Sequence, residues 1–245
     1  MMRMPRMRGV IRRRLLVNFR VDPEVMQRAL PSRFRPKLQA GYAVAGICLI
    51  RLEEIRPAGF PRLVGVSSEN AAHRVAVTWD GGEGVFIPRR DTGSLLNRLA
   101  GGRVFPGEHH GASFDVAEND GRIRLAMASN DGKVRVEVDG RSGGALSSSI
   151  FGSLDEASTF FQGGSLGYSA TADGNRLDGV TLHTRDWTIE PLTVERVYSS
   201  YFAELPAGSA AFDCALIMRN VAHEWHAAED MYIDGPAARS SASKR

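Results

Sequence analysis

Short hydrophobic stretches alternate with turn-forming residues along most of the chain, which is the pattern of β-strands joined by tight turns. Three strand-like stretches are separated by Asn-Asp-Gly at 119–121 and again at 130–132. Asparagine and glycine tolerate positive φ and favour hairpin turns. The pattern predicts strands over 15–21, 75–79, 84–87, 110–117, 122–128, 133–138, 167–172, 179–189, 192–203 and 211–221.

Helix-capping signals interrupt this pattern at three places. Asp22-Pro23 predicts a helix through Leu30, with aspartate as the cap and proline in the first turn. Ser153 followed by Glu156 forms a capping box that predicts a helix to Gln162. A third helix, capped by Asp91 or Thr92, is expected to run to Leu99.

Two further segments complete the predicted organisation. Residues 42–52 are too apolar for an alternating strand and indicate a strand buried on both faces or a short core helix. Residues 56–64 are expected to be a loop because they contain two prolines and a glycine. We therefore predict a mainly β, α+β fold in which an antiparallel, barrel-like sheet carries a few short helices.

Composition is that of an ordinary soluble globular protein, since 43% of the 245 residues are hydrophobic and 24% are charged. We expect one domain over 15–235, preceded by a flexible basic arm at 1–14 and followed by a flexible tail at 236–245. The net charge of +3 comes from these ends, because residues 1–14 hold six arginines and no acid. The intervening chain is mildly acidic, which argues against nucleic acid as a partner.

Other composition features narrow the class of protein. The longest nearly apolar run spans eleven residues, 40–50, which is too short to cross a membrane. The two cysteines, Cys48 and Cys214, lie in apolar stretches and are expected to be free thiols in a reducing cytoplasm. Only three lysines occur, at 37, 133 and 244, so chemistry that needs a primary amine has few possible positions.

Arg20 is the first candidate functional residue. It lies in a strand-like run with Val17 and Phe19, and we expect its guanidinium to share their inward face. A buried arginine needs a carboxylate, which either an internal acidic residue or a ligand could provide.

Two pairs of titratable residues are further candidates. Glu69 and Glu83 flank the strand at 75–79 and could act as acid and base if the fold brings them together, although glutamates beside turns are usually solvated. Glu108 and His109 could form another acid–base pair, or Glu108 could be a solvated turn residue. Of the adjacent His109 and His110, at most one would face a cavity, because neighbouring strand residues point to opposite faces.

A metal site is not expected. His223 and His226 would share one face of a helix, but the sequence lacks the partner ligands that zinc requires. We also find no nucleotide-binding loop and predict no cofactor.

Several blocks of the sequence together resemble the acetoacetate decarboxylase superfamily, and within it the relatives grouped as domain of unknown function 2071. These blocks are residues 19–31, 42–50, 82–84 and 105–106, the strand around Trp187, and residues 212–225. The resemblance implies a β-rich fold around a cone-shaped cavity that contains an arginine, two glutamates and a Schiff-base lysine. Arg20 matches the arginine, and Glu69 and Glu83 match the glutamates.

The resemblance fails at the lysine. In the decarboxylase the catalytic amine follows a Phe-Pro pair, whereas here Phe105-Pro106 is followed by Gly107-Glu108. Arginine cannot form the imine because it stays protonated. We therefore expect a cavity protein that binds a small carboxylate or keto compound through Arg20, with acid–base chemistry by Glu69, Glu83, Glu108 or His109. The alternative is a non-catalytic binding or structural module on the same fold, and either form could be a homo-oligomer.

Overall fold

The computed structural model describes residues 4–96 and 106–233, and most of its regular structure is β-sheet. The strands are β1 Met7–Val21, β2 Arg35–Pro36, β3 Leu38–Gln39, β4 Tyr42–Pro57, β5 Val66–Trp79, β6 Gly82–Thr92, β7 His109–Asn119, β8 Arg122–Ser129, β9 Arg135–Ser142, β10 Leu166–Ala170, β11 Arg176–Thr184, β12 Glu190–Ser199, β13 Ala210–Ala227 and β14 Met231–Tyr232. The helices of the described residues are α1 Pro23–Arg28, α2 Leu154–Gln162 and α3 Ser200–Ala203. The predicted mainly β fold with short helices is confirmed.

All fourteen strands of the described residues belong to one sheet. Their order is β14-β11-β10-β6-β7-β8-β9-β12-β13-β1-β4-β5-β2, with β3 beside β4 and with additional pairings of β5 with β6 and of β11 with β13. The expectation of a purely antiparallel sheet is wrong at β6, which pairs in parallel with β7 and with β10. The sheet is therefore mixed.

The first strand begins earlier than the sequence pattern suggested. Residues 7–14 belong to β1 and pair with both β4 and β13, so the predicted flexible arm is wrong from Met7 onward. Ile11 and Arg13 in this segment are almost completely buried. The sequence pattern does not predict this part of β1, because residues 12–14 are arginines and alternate positions of a buried strand are normally apolar.

Strands β1 and β4 pair along their length and are covered on both faces. Leu15 and Val17 pack in one buried cluster with side chains of β8 and β9, whereas Leu16 packs in a second cluster with Phe160 of α2. Residues 42–52 therefore form a strand buried on both faces, and the alternative of a core helix is excluded.

The capping signals predicted two helices correctly. Asp22 accepts hydrogen bonds from the backbone N–H groups of Glu24 and Val25 at 2.8 and 3.0 Å, although α1 ends at Arg28 rather than at Leu30. Ser153 accepts from the N–H of Glu156 at 3.1 Å and caps α2. The predicted helix from Asp91 or Thr92 to Leu99 lies partly outside the described residues.

Smaller differences concern other segments. Residues 200–203 form a helix instead of continuing β12, and β4 extends to Pro57 into the predicted loop. The predicted tail at 236–245 lies outside the described residues. No helix in the described ranges is long and apolar enough to cross a bilayer.

Candidate functional site

One face of the sheet, beside the N-terminal ends of β7 and β10, carries a cavity of ≈ 150 Å³. Its wall is mainly aliphatic and aromatic and includes Ile11, Ile50, Leu52, Ile55, Val85, Leu182 and Trp225. Its polar residues are Arg14, Cys48, Asn70, Arg74, Arg90, Asp91, His109 and Ser165. The cavity is therefore apolar over most of its surface and carries basic groups in one part.

Strand register explains why these polar residues meet. Cys48 of β4 is paired with Ala72 of β5, Ala72 with Arg90 of β6, and Arg90 with His109 of β7. Directly paired residues in a sheet place their side chains on the same face. This row of paired residues therefore places Cys48, Arg90 and His109, which belong to three different strands, on one face of the sheet.

Cys48 lies between two arginines. Arg14 Nη2 is 3.4 Å and Arg74 Nε is 3.1 Å from Cys48 Sγ, and only 2% of the cysteine is exposed. Burial raises the pKa of this thiol, but the charges of Arg14 and Arg74 and their hydrogen bonds outweigh burial, and the pKa is lowered overall. The site thus favours a thiolate.

Arg74 is held rigidly by three neighbours. Besides Cys48, its Nη2 donates to the side-chain oxygen of Asn18, and its guanidinium lies 4.9 Å from the centre of the Phe161 ring. Only 4% of Arg74 is exposed. Burial lowers its pKa, and the charge of Cys48 opposes that shift. Its positive charge is therefore fixed in place beside the cavity.

Arg90 and Arg14 have hydrogen-bonding capacity left over. Arg90 Nε donates to Ser169 Oγ at 3.3 Å, but its buried Nη2 has no partner among the described residues, nor has the buried Nε of Arg14. Burial lowers the pKa of Arg90 to about 10, so the group stays charged at neutral pH. Buried donors of this kind are costly unless an acceptor is supplied.

Protein carboxylates do not neutralise these arginines. Asp91 lines the cavity, but its carboxylate is bound by Arg89 at 2.8 Å. Among the described residues, no lysine or glutamate lines the cavity wall. In the part of the chain that the structure describes, the cavity therefore has a net positive charge.

Of the predicted site residues, His109 is placed in the cavity. Its Nδ1 lies 3.2 Å from the Gly107 carbonyl oxygen, and burial together with the charge of Arg90 lowers its pKa to about 4. His109 is consequently neutral at pH 7. His110 does not line the cavity and Glu108 is exposed, so the expectation that at most one of the adjacent histidines faces it agrees with the structure.

Arg20 is not a cavity residue, and the expectation that it meets Glu69 and Glu83 there is wrong. Strand alternation places Arg20 on the opposite face from Val17 and Phe19 and on the same face as Leu16. Its guanidinium contacts the Ser149 hydroxyl and lies 5.5 Å from the Tyr42 ring centre. It therefore lies beyond the end of the cavity.

The two glutamates are also separated. Glu69 accepts from Arg13 Nη2 at 2.7 Å, and the other arm of this guanidinium binds Glu118, on the opposite face of the sheet from the cavity. Burial raises the pKa of Glu69, and Arg13 opposes that shift. Glu83 is exposed and pairs with Lys37 at 2.8 Å beside a smaller cleft. The structure does not bring the two carboxylates together.

The segment containing His223 and His226 is part of β13 rather than a helix, so the two rings do not share a helical face. His226 Nε2 lies 3.0 Å from Glu224, whereas His223 is buried. Within the described ranges, no cluster of three or more metal-ligating side chains occurs.

Sequence reasoning missed Arg14, Cys48, Arg74 and Arg90. The sequence places Arg14 in the predicted basic arm and predicts only that Cys48 is a free thiol in an apolar stretch. Arg74 and Arg90 each stand in a segment that forms a strand. An arginine inside an otherwise buried strand was the available signal, because such residues are seldom buried without a partner.

Comparison with known proteins finds one family model that matches the sequence and several solved structures with a similar fold. The family model DUF2071, described as an uncharacterized conserved protein, matches residues 10–215. Acetoacetate decarboxylase from Legionella pneumophila superposes with a TM-score of 0.59 at 12% identity, covering 93% of this chain and 88% of that one. The enduracididine biosynthesis enzyme MppR complexed with pyruvate gives 0.59 at 11% identity, covering 96% and 92%. An acetoacetate decarboxylase-like enzyme from Sphingomonas wittichii gives 0.55 at 15% identity, covering 93% and 92%. No curated protein matches the sequence significantly.

Proposed function

Because the chain belongs to the DUF2071 family and has the fold of acetoacetate decarboxylase-like proteins, we propose that its cavity binds a small organic acid. The carboxylate would lie at Arg14, Arg74 and Arg90, and a short hydrocarbon or keto-bearing tail would lie along the aliphatic wall. This role replaces the one that the sequence assigned to Arg20.

The observation that carries this proposal is a set of three arginines that face one cavity without a protein carboxylate to neutralise them; Arg74 is buried, and Arg14 and Arg90 are half-buried. Buried cations are costly unless they are paired and hydrogen-bonded. A carboxylate ligand supplies both the negative charge and two acceptor oxygens, and arginine binds it in a planar, two-pronged geometry. Arg14 and Arg90 each also have a buried nitrogen atom without a hydrogen-bond partner among the described residues.

The size and wall of the cavity limit the ligand. A volume of ≈ 150 Å³ suits a small ligand rather than a large one. The side chains of Ile50, Leu52 and Leu182 favour an aliphatic tail over a second charged group. A branched 2-oxo acid such as 4-methyl-2-oxopentanoate has the chemistry that the cavity fits.

Imine chemistry is not part of the proposal, because the amine of Lys37 pairs with Glu83 and Lys133 belongs to the turn between β8 and β9. His109 is the group that could move a proton, since its neutral ring can accept one from a carbon next to a keto group whose oxygen is held by arginine. Hydrogen–deuterium exchange at carbon 3 of the bound keto acid separates this activity from simple binding.

Calorimetric titration of 4-methyl-2-oxopentanoate into the full-length protein tests binding. We expect Arg90→Met to weaken binding by about 10- to 100-fold, because a hydrogen bond to a charged group contributes roughly 1.5–3 kcal/mol. Arg20→Met is the matched control: it removes an arginine from the same face of the sheet but outside the cavity, and affinity should stay within about twofold. Equal affinity in Arg90→Met and the wild type, or an equal loss in Arg20→Met, would contradict the proposal.

A further inference from the structure

Cys48 has the surroundings of a reactive group rather than of a core thiol. Its sulfur lines the cavity and receives hydrogen bonds from two arginines of different strands. Paired cations of this kind stabilise a thiolate, which is the nucleophilic form of cysteine.

Cys214 provides the internal comparison. It is equally buried, but it does not line the cavity, and its neighbour Asn18 donates a single weak hydrogen bond at 3.6 Å. Burial raises the pKa of Cys214 to about 12. The pKa values of the two cysteines are therefore shifted in opposite directions, although both residues are buried.

Strand register also places Cys48 where it can meet a ligand. Cys48 and Arg90 belong to the same row and are separated by one intervening strand, which corresponds to about 10 Å between their backbones. Both side chains line the same cavity, and the buried Nη2 of Arg90 has no partner within the described residues. A carboxylate bound by Arg90 would direct its neighbouring carbon atom towards the Cys48 sulfur.

We infer that Cys48 is a nucleophile that adds reversibly to the keto carbon of a 2-oxo acid bound by the cavity arginines. This inference rests on the proposed function, because the arginines must first hold the carboxylate. It gives the cavity a covalent step that needs no amine.

The step balances without an oxidant or a leaving group. The thiol first releases its proton to water. The thiolate then forms a sulfur–carbon bond while the electron pair of the C=O double bond moves to oxygen, and that oxygen takes up one proton from water. Thiol and keto acid thus give a hemithioketal, and the reverse sequence releases both.

Alkylation with iodoacetate and with iodoacetamide tests this inference on the full-length protein, with the modified cysteine assigned by mass spectrometry of peptides. An ordinary thiolate reacts with neutral iodoacetamide at least as fast as with anionic iodoacetate. At Cys48 the arginines should reverse this order and make iodoacetate at least about 10-fold faster, because a basic cleft concentrates anions. Cys214 should stay unmodified, and Cys48→Ser should abolish labelling.

The Arg90→Met variant separates a carboxylate-directed reaction from simple exposure of the thiol. It keeps Arg14 and Arg74 beside the sulfur, so Cys48 should still react, but the preference for iodoacetate should fall towards unity. An unreactive Cys48 in a protein that still binds 4-methyl-2-oxopentanoate would overturn the inference and leave the proposed function standing. Slower reaction with iodoacetate than with iodoacetamide at Cys48 would overturn it as well. If the wild-type protein shows neither binding of 4-methyl-2-oxopentanoate nor a preference of Cys48 for iodoacetate, both proposals are overturned.

Discussion

Arg13 and Arg14 are sequence neighbours in β1, and strand alternation directs them to opposite faces of the sheet. Arg13 binds Glu69 and Glu118 in an ion-pair cluster, whereas Arg14 donates to Cys48 in the cavity. One step along the strand therefore separates a residue that stabilises the fold from a residue of the candidate site. The same alternation separates Glu69 from Asn70, which lines the cavity.

Glu69 is expected to contribute to stability and not to ligand binding. In Glu69→Ala, the buried Arg13 Nη2 loses its acceptor, so the free energy of unfolding should fall by roughly 1–3 kcal/mol. The affinity for 4-methyl-2-oxopentanoate should stay within about twofold of the wild type. Denaturant unfolding measures the stability, and calorimetry measures the affinity. A large loss of affinity with unchanged stability would show instead that Glu69 acts in ligand binding.

His73 is expected to make the fold sensitive to acid. It is fully buried, both ring nitrogens lack hydrogen-bond partners among the described residues, and its ring packs 4.7 Å from that of Tyr201. Burial and the charge of Arg89 lower its pKa to about 3, from about 6.5 in the unfolded chain. The unfolded state therefore binds the proton first, and this contribution to stability is complete above pH 6.5 and is lost as pH falls towards 3.

The substitution His73→Leu should remove this part of the pH dependence. Between pH 7 and pH 5, the wild type should lose about 2 kcal/mol more unfolding free energy than the variant, because one proton taken up on unfolding changes that free energy by about 1.4 kcal/mol per pH unit. Urea unfolding at both pH values measures the difference. Parallel pH profiles in the two proteins would show that His73 is not the buried neutral group described.

At the scale of elements, α1 depends on its cap because it has only six residues. In Asp22→Ala, two backbone N–H groups lose their acceptor, and the free energy of unfolding should fall by about 1 kcal/mol. Asp22→Asn keeps an acceptor oxygen and should restore most of the loss in the same denaturant assay. Equal destabilisation by both substitutions would mean that the carboxylate charge, not the cap geometry, is what matters.

Elements with local signals could be predicted from the sequence, and elements defined by distant partners could not. The Asp22 and Ser153 caps and the Asn-Asp-Gly turns act within a few residues and are visible in any reading of the chain. The parallel pairing of β6 with β7 and β10 joins segments whose own periodicity is unaffected by the partner. The start of β1 could not be predicted, because arginines occupy positions 12–14, where a buried strand is expected to have apolar residues.

At the scale of the whole molecule, the order of the strands in the sheet brings the residues of the candidate site together. The residues Arg14, Cys48, Arg74 and Arg90 come from β1, β4, β5 and β6, which follow one another across the sheet. Sequence alone supplied the family resemblance and the absence of a lysine after Phe105-Pro106. It could not place the arginines, because their meeting depends on register between four strands.

The structure also changes the interpretation of the charge distribution along the chain. The arginines near the amino end are not a separate basic arm: Arg8 pairs with Glu224 and Arg12 with Glu53, both at distances below 3 Å. The cavity arginines keep their positive charge without a carboxylate of the protein. A bound organic acid should therefore stabilise the whole molecule, since it binds the folded state alone.

A crystal structure of the protein with 3-methylbutanoate tests this account most directly, because that ligand has the carboxylate and the branched tail but no reactive carbonyl. The carboxylate should lie within hydrogen-bonding distance of Arg14 or Arg90, with its tail against Ile50 and Leu182. A cavity that contains only water at saturating ligand, or a carboxylate bound at Arg20 instead, would contradict it.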